Sequence, residues 1–278
     1  MLVPARVLSA ALVIVVALPA AARAQSAADI LNRMLSEYES RSQGVENYTI
    51  VQETMGMETV TYFEKETVDG HPVFRLRSTQ AAGMVMTEHD SENDGWDEFY
   101  SLAPQMVSHA EYQGRERIEG RDVHVVVVND LDEIGFGQGP APEDADFQPE
   151  RGRFYVDAEQ WVVRRMEFEG SMTTQGETHE VKSIADFRDF REMDGMLHPF
   201  LMDVTVEGLG EAMDPAMQQQ LEEMKRELEQ MPEAQRKMVE QMMKAQIENL
   251  EQMGDEGGMK IQIKVKELRV NSGPPGDR

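Results

Sequence analysis

The chain has 278 residues, no cysteine, and 52 acidic against 27 basic side chains, for a formal net charge of -25. A surface of that sign repels nucleic acid and anionic lipid headgroups, and the missing cysteines exclude a disulfide framework and a thiolate metal site alike. Stability has to come from a hydrophobic core, and the length suits one large β-rich domain or two small ones.

The first stretch is "MLVPARVLSAALVIVVALPAAARAQSAADI". Arg6, the apolar run from Val7 to Leu18 and the small residues before Ala22-Arg23-Ala24 form the three-part pattern of a secretory signal peptide, with cleavage expected between Ala24 and Gln25. The run is shorter than the roughly 20 apolar residues that a spanning helix needs. The expected organisation is therefore a bacterial leader over residues 1–24 and a single domain over residues 25–278, delivered to the periplasm.

Ser26 followed by Asp29 resembles a helix start, and Ile30, Leu31, Met34, Leu35 and Tyr38 recur at helical spacing, which predicts an amphipathic helix from about Ala27 to Arg41. From Val45 onward the period changes. "ENYTIVQETM", "METVTYFEKETV", "HPVFRLRST" and "GMVMTEHD" are short β segments separated by Gly, Asp or Pro. "HDSENDGWDEFY" carries Asp90, Glu92, Asp94 and Gly95 at the spacing of a calcium loop, but Ser101 stands where the closing carboxylate belongs. A tight turn at Asn93-Asp94-Gly95 explains the same residues.

"GRDVHVVVVND" is a near-continuous apolar strand, which implies burial on both faces. "EIGFGQGPAPEDADFQPE", from Glu133 to Glu150, reads as a long mobile loop. "RGRFYVDAEQWVVRRMEFEG" gives a hairpin about Asp157-Ala158-Glu159-Gln160, and "THEVKSIADFRDFREMDGMLHPFLMDVTVEG" gives two strands joined at Asp194-Gly195. In "GMKIQIKVKEL" Met259, Ile261, Ile263 and Val265 alternate with Lys260, Gln262, Lys264 and Lys266, so one face is buried and one is wet. The pattern predicts about ten or eleven strands, mostly antiparallel, with no βαβ repeat.

Between the last two strands Asp214-Pro215 and Met231-Pro232 mark two helix starts and Gly254 a stop. Met217, Leu221, Met224, Leu228 and Met231 make a narrow stripe on the first helix, and Met238, Met242 and Met243 belong to a broader apolar face on the second. Methionine is unbranched and polarizable, so it serves both as a gap filler in ordinary cores and as a binding surface for varied apolar partners. A coiled-coil dimer is a further reading of the first stripe.

No catalytic pattern emerges. His71, His89, His109, His124, His179 and His198 are scattered, "HEVKS" lacks the second histidine of a zincin helix, and no G-x-S-x-G elbow, P-loop or dinucleotide fingerprint occurs. Neither a cofactor nor a metal is expected.

The order of elements carries more than any motif. An exported chain, an N-terminal helix, a β meander, then Tyr155-Val156-Asp157 turning into Val163-Arg164-Arg165, and later Asp194-Gly195 leading to His198-Pro199, resembles the periplasmic LolA/LolB-like lipoprotein-carrier superfamily. The resemblance covers most of the chain, from which the insertion at about 209–258 departs. It implies a mainly β fold with some α. This is an incomplete, strongly curved antiparallel barrel, a half-barrel with an N-terminal helix and an inserted C-terminal pair of amphipathic helices. Its concave apolar face would accept acyl chains.

The functional expectation is an exported, non-catalytic carrier for lipid or lipoprotein acyl chains, with Met217, Leu221, Met224, Leu228, Met231, Met238, Met242 and Met243 as the adaptable lipid-contacting side chains. Envelope membrane proteins would be its partners in loading and delivery. A second reading is an envelope-stress sensor binding a protein through the acidic methionine helices, and a third is a hydrolase with an unrecognised site.

Overall fold

In a computed structural model the residues described are 25–68, 70–81, 84–88, 98–134, 145–174, 177–208 and 258–275. The leader, the turn at Asn93-Asp94-Gly95 with its calcium alternative, and both methionine-rich helices lie outside them.

Helix α1, Ala27–Ser42, begins where the sequence places it. Asp29 N donates to Ser26 Oγ and Ser26 N to Asp29 Oδ2, each at 3.1 Å, so a reciprocal capping box satisfies the first free amides. Ala27, Ile30, Leu31, Met34 and Leu35 are buried along one face. Each such aliphatic side chain contributes roughly 1.5–3 kcal/mol, which dominates the helix's stability. At the far end Lys65 Nζ donates to the carbonyls of Ser42 (2.8 Å) and Gln43 (3.2 Å), a cation on the negative end of the helix.

Eleven strands follow: β1 Asn47–Thr54, β2 Met57–Val68, β3 His71–Ala81, β4 Met84–Glu88, β5 Ala110–Ile118, β6 Arg121–Asn129, β7 Ala145–Asp157, β8 Val163–Thr174, β9 Glu177–Met193, β10 Met196–Glu207 and β11 Gly258–Val270. Helix α2, Glu98–Met106, a 3-10 turn at Val107–His109 and the single turn α3, Leu131–Ile134, interrupt them. Two differences from the sequence-based expectations stand out. The chain is already in β7 at Ala145, so the connection expected from Glu133 to Glu150 is shorter, bounded by α3 and β7. Helix α2 was not expected at all, because nine residues with Pro104 among them give a weak helical signal. Its identity rests on Phe99, Ala103 and Met106, buried at helical spacing.

All strands form one sheet in the order β4-β3-β2-β1-β11-β10-β9-β8-β7-β6-β5, every neighbouring pair antiparallel. Two meanders, β1 to β4 and β5 to β10, are joined by β11, which lies between β1 and β10. Helix α1 touches both β3 and β5, nine places apart in that order, so the sheet has to curl around it. Bulges supply the curvature. Register shifts occur in the β1–β11, β2–β3, β3–β4, β5–β6 and β7–β8 ladders. In β11 the shift opposite Val51 and Gln52 lets Val265 and Leu268, three residues apart, both face the core. Two-residue turns at Met55-Gly56, Glu119-Gly120 and Asp194-Gly195, with positive φ at both positions, suit the twist of their strands.

The β7–β8 turn is held by one buried carboxylate. Asp157 Oδ1 accepts from the amides of Glu159 (2.9 Å) and Gln160 (2.8 Å), and Oδ2 from Arg164 Nε (3.0 Å) and Arg121 Nη1 (3.3 Å). Arg164 in turn lies over the ring of Phe190 at 4.3 Å. Burial pushes the Asp157 carboxyl up, but the Gln160 and Glu159 amides and Arg164 outweigh it, so it titrates below its ordinary value. Its contribution is therefore full above the unfolded carboxylate range and is lost as pH falls through the lower folded value. Asp157→Asn keeps an acceptor for the turn but leaves Arg164 without its anion. We expect a loss of about 3 kcal/mol in urea unfolding at pH 7, narrowing below about pH 4 as the wild-type carboxyl protonates.

Candidate functional site

Antiparallel order sorts the hairpin turns to two ends. The β2–β3, β5–β6, β7–β8 and β9–β10 turns share one end, and the β1–β2, β3–β4, β8–β9 and β10–β11 connections share the other. Helix α1 closes the first end. Arg41 Nη2 donates to the carbonyl of Gln160 at 2.7 Å, Glu39 meets His71 Nδ1 at 2.5 Å, and the Arg41 carbonyl lies against Gly195.

At this closed end the concave face is filled. One cluster joins Ile30, Leu31 and Met34 of α1 to Phe99, Tyr100 and Met106 of α2 over Val126, Phe154, Met166 and Phe187. A second joins Tyr48, Phe63, Phe74, Phe200, Val265 and Leu268. Tyr38 packs against both and stacks on Tyr100, with ring centroids 4.2 Å apart. The cavity between Tyr38, Ser42, Tyr100, Val162 and Met196 holds about 20 Å³. That is less than one water's share of liquid volume, about 30 Å³, and far below the few hundred Å³ of an ordinary ligand pocket. An acyl chain has no room there.

Toward the other end the same face runs beyond both clusters. Val204 stands opposite Ala185 on one side and Ile261 on the other, Val206 opposite Met259, and Met202 opposite Phe187 and Ile263. Val204, Val206, Ile261 and Ile263 are half-buried and belong to neither cluster. Phe168 and Met172 on β8 continue the surface sideways, Phe168 meeting Phe154 edge-on at 5.7 Å. This apolar surface is the candidate site.

Met217, Leu221, Met224, Leu228, Met231, Met238, Met242 and Met243 lie outside the described residues. Their segment leaves β10 and enters β11 at the head of the candidate surface, where Glu207 pairs with Gly258. A close approach fixes that departure: Gly208 has φ +86°, and a Cβ there would stand 2.3 Å from the Glu180 carbonyl oxygen. The apolar strand residues of the surface were readable as core from β11's alternation, but not as a surface continuing past the core.

The opposite face is polar. Arg165 makes two hydrogen bonds to Asp186 (2.7 and 3.1 Å), and Arg188 reaches Asp203 (3.0 Å) and Glu119 (2.9 Å). A cavity of about 70 Å³ on this side is lined mainly by such charges, including Arg121, Arg164, Asp186 and Arg188. Among the described residues no group of three or more His, Asp or Glu is placed to hold a metal ion. His109 lies 3.7 Å from Asp130 and His179 4.0 Å from Glu177, while His124 and His198 are wholly buried.

No protein-family model and no curated protein matches the chain. Solved structures do. An outer membrane lipoprotein-sorting protein domain from Vibrio parahaemolyticus is 10% identical, with 90% of this chain and 94% of that one covered at a TM-score of 0.43. A DUF1329 family protein from Desulfovibrio piger is 13% identical, covering 89% and 93% at 0.40, and a LolA superfamily protein from Nitrosomonas europaea 9% identical, covering 88% and 94% at 0.35. The chain is similar in fold to lipoprotein-sorting and LolA proteins. The likeness concerns the fold alone.

His198 offers a check on the filled end. Its Nδ1 donates to the Pro199 carbonyl at 2.7 Å, and its ring stands edge-on to Tyr48 and Phe200. Burial lowers its pKa from 6.5 to about 4, the Pro199 carbonyl opposing only in part. A histidine held neutral in the fold and charged when unfolded contributes its full stability above pH 6.5 and loses it as pH falls toward 4. We expect urea midpoints to fall over that window by the equivalent of about 3 kcal/mol, and His198→Phe to flatten that part of the profile.

Proposed function

We propose that the protein is an exported carrier that holds the acyl chains of lipids or lipoproteins in water. The observation that supports this most directly is the half-buried apolar surface of Met202, Val204, Val206, Ile261 and Ile263, which extends the core face past the end that α1 seals. An acyl chain laid there is removed from water at roughly 0.8 kcal/mol per methylene, so a single chain supplies affinity without a polar contact. Met217, Leu221, Met224, Leu228, Met231, Met238, Met242 and Met243 enter this reading as side chains that follow cargo of varied shape. The leader read over residues 1–24 supports a periplasmic location, and the cargo class fits a part in outer-membrane lipoprotein sorting. Nothing in the site calls for catalysis.

The test is native mass spectrometry of the chain expressed with its leader into a bacterial periplasm and purified without detergent, with organic extraction of bound species. We expect an excess mass matching acylated lipid. Val204→Asp together with Ile261→Asp, which places two charges on the apolar surface, should remove that mass while the far-ultraviolet spectrum keeps its β signature. A clean apo mass, unchanged after incubation with lipid vesicles, would sink the carrier reading.

A further inference from the structure

The open end of the concave face has two chemically different halves. Over β8 to β11 it is mainly apolar, as described, with Ser183 set between Phe168 and Val206. Over β1 to β3 the same face carries five polar positions, Gln52 and Thr54, Thr59 and Thr61, and Thr79, with Ala81 and the exposed Met57 at their ends. The register fixes the assignment: Gln52 is opposite Val265, Thr54 opposite Ile263, Thr61 opposite the core residue Ile50, and Thr79 opposite Thr61. All five are half-buried. Among the described residues none of the five side chains makes a hydrogen bond, so four hydroxyls and one amide face the concavity with their hydrogen-bonding capacity unspent.

Among the described residues, cationic side chains are missing from both halves. Among the described residues no Lys or Arg stands on this face of β1, β2 or β8 to β11 at the open end, and the one carboxylate there is the exposed Glu177 at the very end of β9. The nearest cations are turned away. Lys264 and Lys266 occupy the alternate positions of β11, with Lys266 bound to Glu53 at 2.5 Å, and Arg77, displaced at the β2–β3 bulge, is bound to Glu64 and Glu66. His179 and Glu177 are the titratable groups of β9 at the rim, 4.0 Å apart. A phosphate drawn into this concavity would meet no cation among the described residues, and an unpaired charge in a half-buried site is strongly disfavoured. A hydroxyl- or amide-bearing head would meet the unspent donors and acceptors that an apolar surface lacks.

From this division we infer that the site takes an amphiphile whose head is uncharged and hydrogen-bonding, the head on the threonine strip of β1 to β3 and the chain on the apolar strands β8 to β11. The inference rests on the carrier reading and narrows its substrate class. The probes are dodecyl maltoside and dodecanoyl lysophosphatidylglycerol, equal in chain length, titrated into the delipidated exported chain below their micelle-forming concentrations and followed by calorimetry. The maltoside should bind at least about tenfold more tightly. The triple variant Thr59→Val, Thr61→Val, Thr79→Val keeps the β-branched shape and should lose that preference while still binding the alkyl chain. Thr61→Arg should shift preference toward the anionic probe. If neither amphiphile binds the wild-type chain, the carrier reading itself falls. Equal binding of both, unaltered by the valine variant, would overturn the head-group assignment and leave the carrier reading standing.

Discussion

The seating of β11 between β1 and β10 is the constraint on which the rest of the structure depends. Without it the chain is two separate meanders, each with an exposed strand edge and half of a core. With it the two halves share one hydrogen-bonded sheet, and Val265 and Leu268 close the second core cluster beneath Tyr48 and Phe200. The strand reaches both neighbours because it is bulged, pairing with β10 from Gly258 to Lys264 and with β1 from Ile263 to Val270. The same arrangement dictates that everything between Gly208 and Gly258 departs and returns at adjacent strand ends, beside the apolar surface that the core leaves unfinished. Topology thus links the chain's most unusual composition to one end of one face.

The two ends of the concavity answer different needs. At the closed end α1 is fixed by its capping box, by Lys65 on its last carbonyls and by Arg41 on the β7–β8 turn, and the side chains beneath it leave about 20 Å³. That end is a core, and its packing holds the sheet's curvature. Continuation of the same apolar face past Met202 adds nothing that a core of this size requires, since the two clusters are complete without Val204 and Val206. A fold selected for stability alone would place polar side chains there. Retaining an apolar surface costs solubility in a protein that is otherwise strongly acidic, and that cost supports the binding role proposed for it.

Much of the sheet was legible in the sequence because period-2 alternation is a local property. Ser26 and Asp29 announced α1, Val123 to Val128 announced a strand buried on both faces, and Asp157, Asp194 and Gly195 marked turns that the structure contains. What escaped the reading is nonlocal or short. Helix α2 gains its stability from α1 and the sheet rather than from its nine residues, so its own pattern is faint. The bulges depend on which strand lies opposite, and only the paired register shows that Gln52, Thr59, Thr61 and Thr79 share a face. In the sequence those threonines are simply β-formers. The site was read from methionine composition, which concerns residues 209–257, whereas the geometry points to strand positions whose meaning appears only after pairing.

Curvature explains why the two faces of one sheet differ so sharply. Bending crowds side chains on the concave side and spreads them on the convex side, so small or slender groups are favoured inside and long ones outside. Gly152 and Gly170 stand on the concave side of β7 and β8, where a Cβ would meet the Phe154 ring at 2.8 Å and the Gln148 carbonyl oxygen at 2.2 Å respectively. On the convex side Arg165, Asp186, Arg188 and Asp203 span the widened spacing with ion pairs across three strands. Exposed pairs of that kind add little stability singly, yet they give Arg165, Asp186, Arg188 and Asp203 partners outside the concavity. Charge pairing on the convex face thus leaves the cations of β8 to β10 outside the concavity, while the molecule as a whole carries its large negative charge.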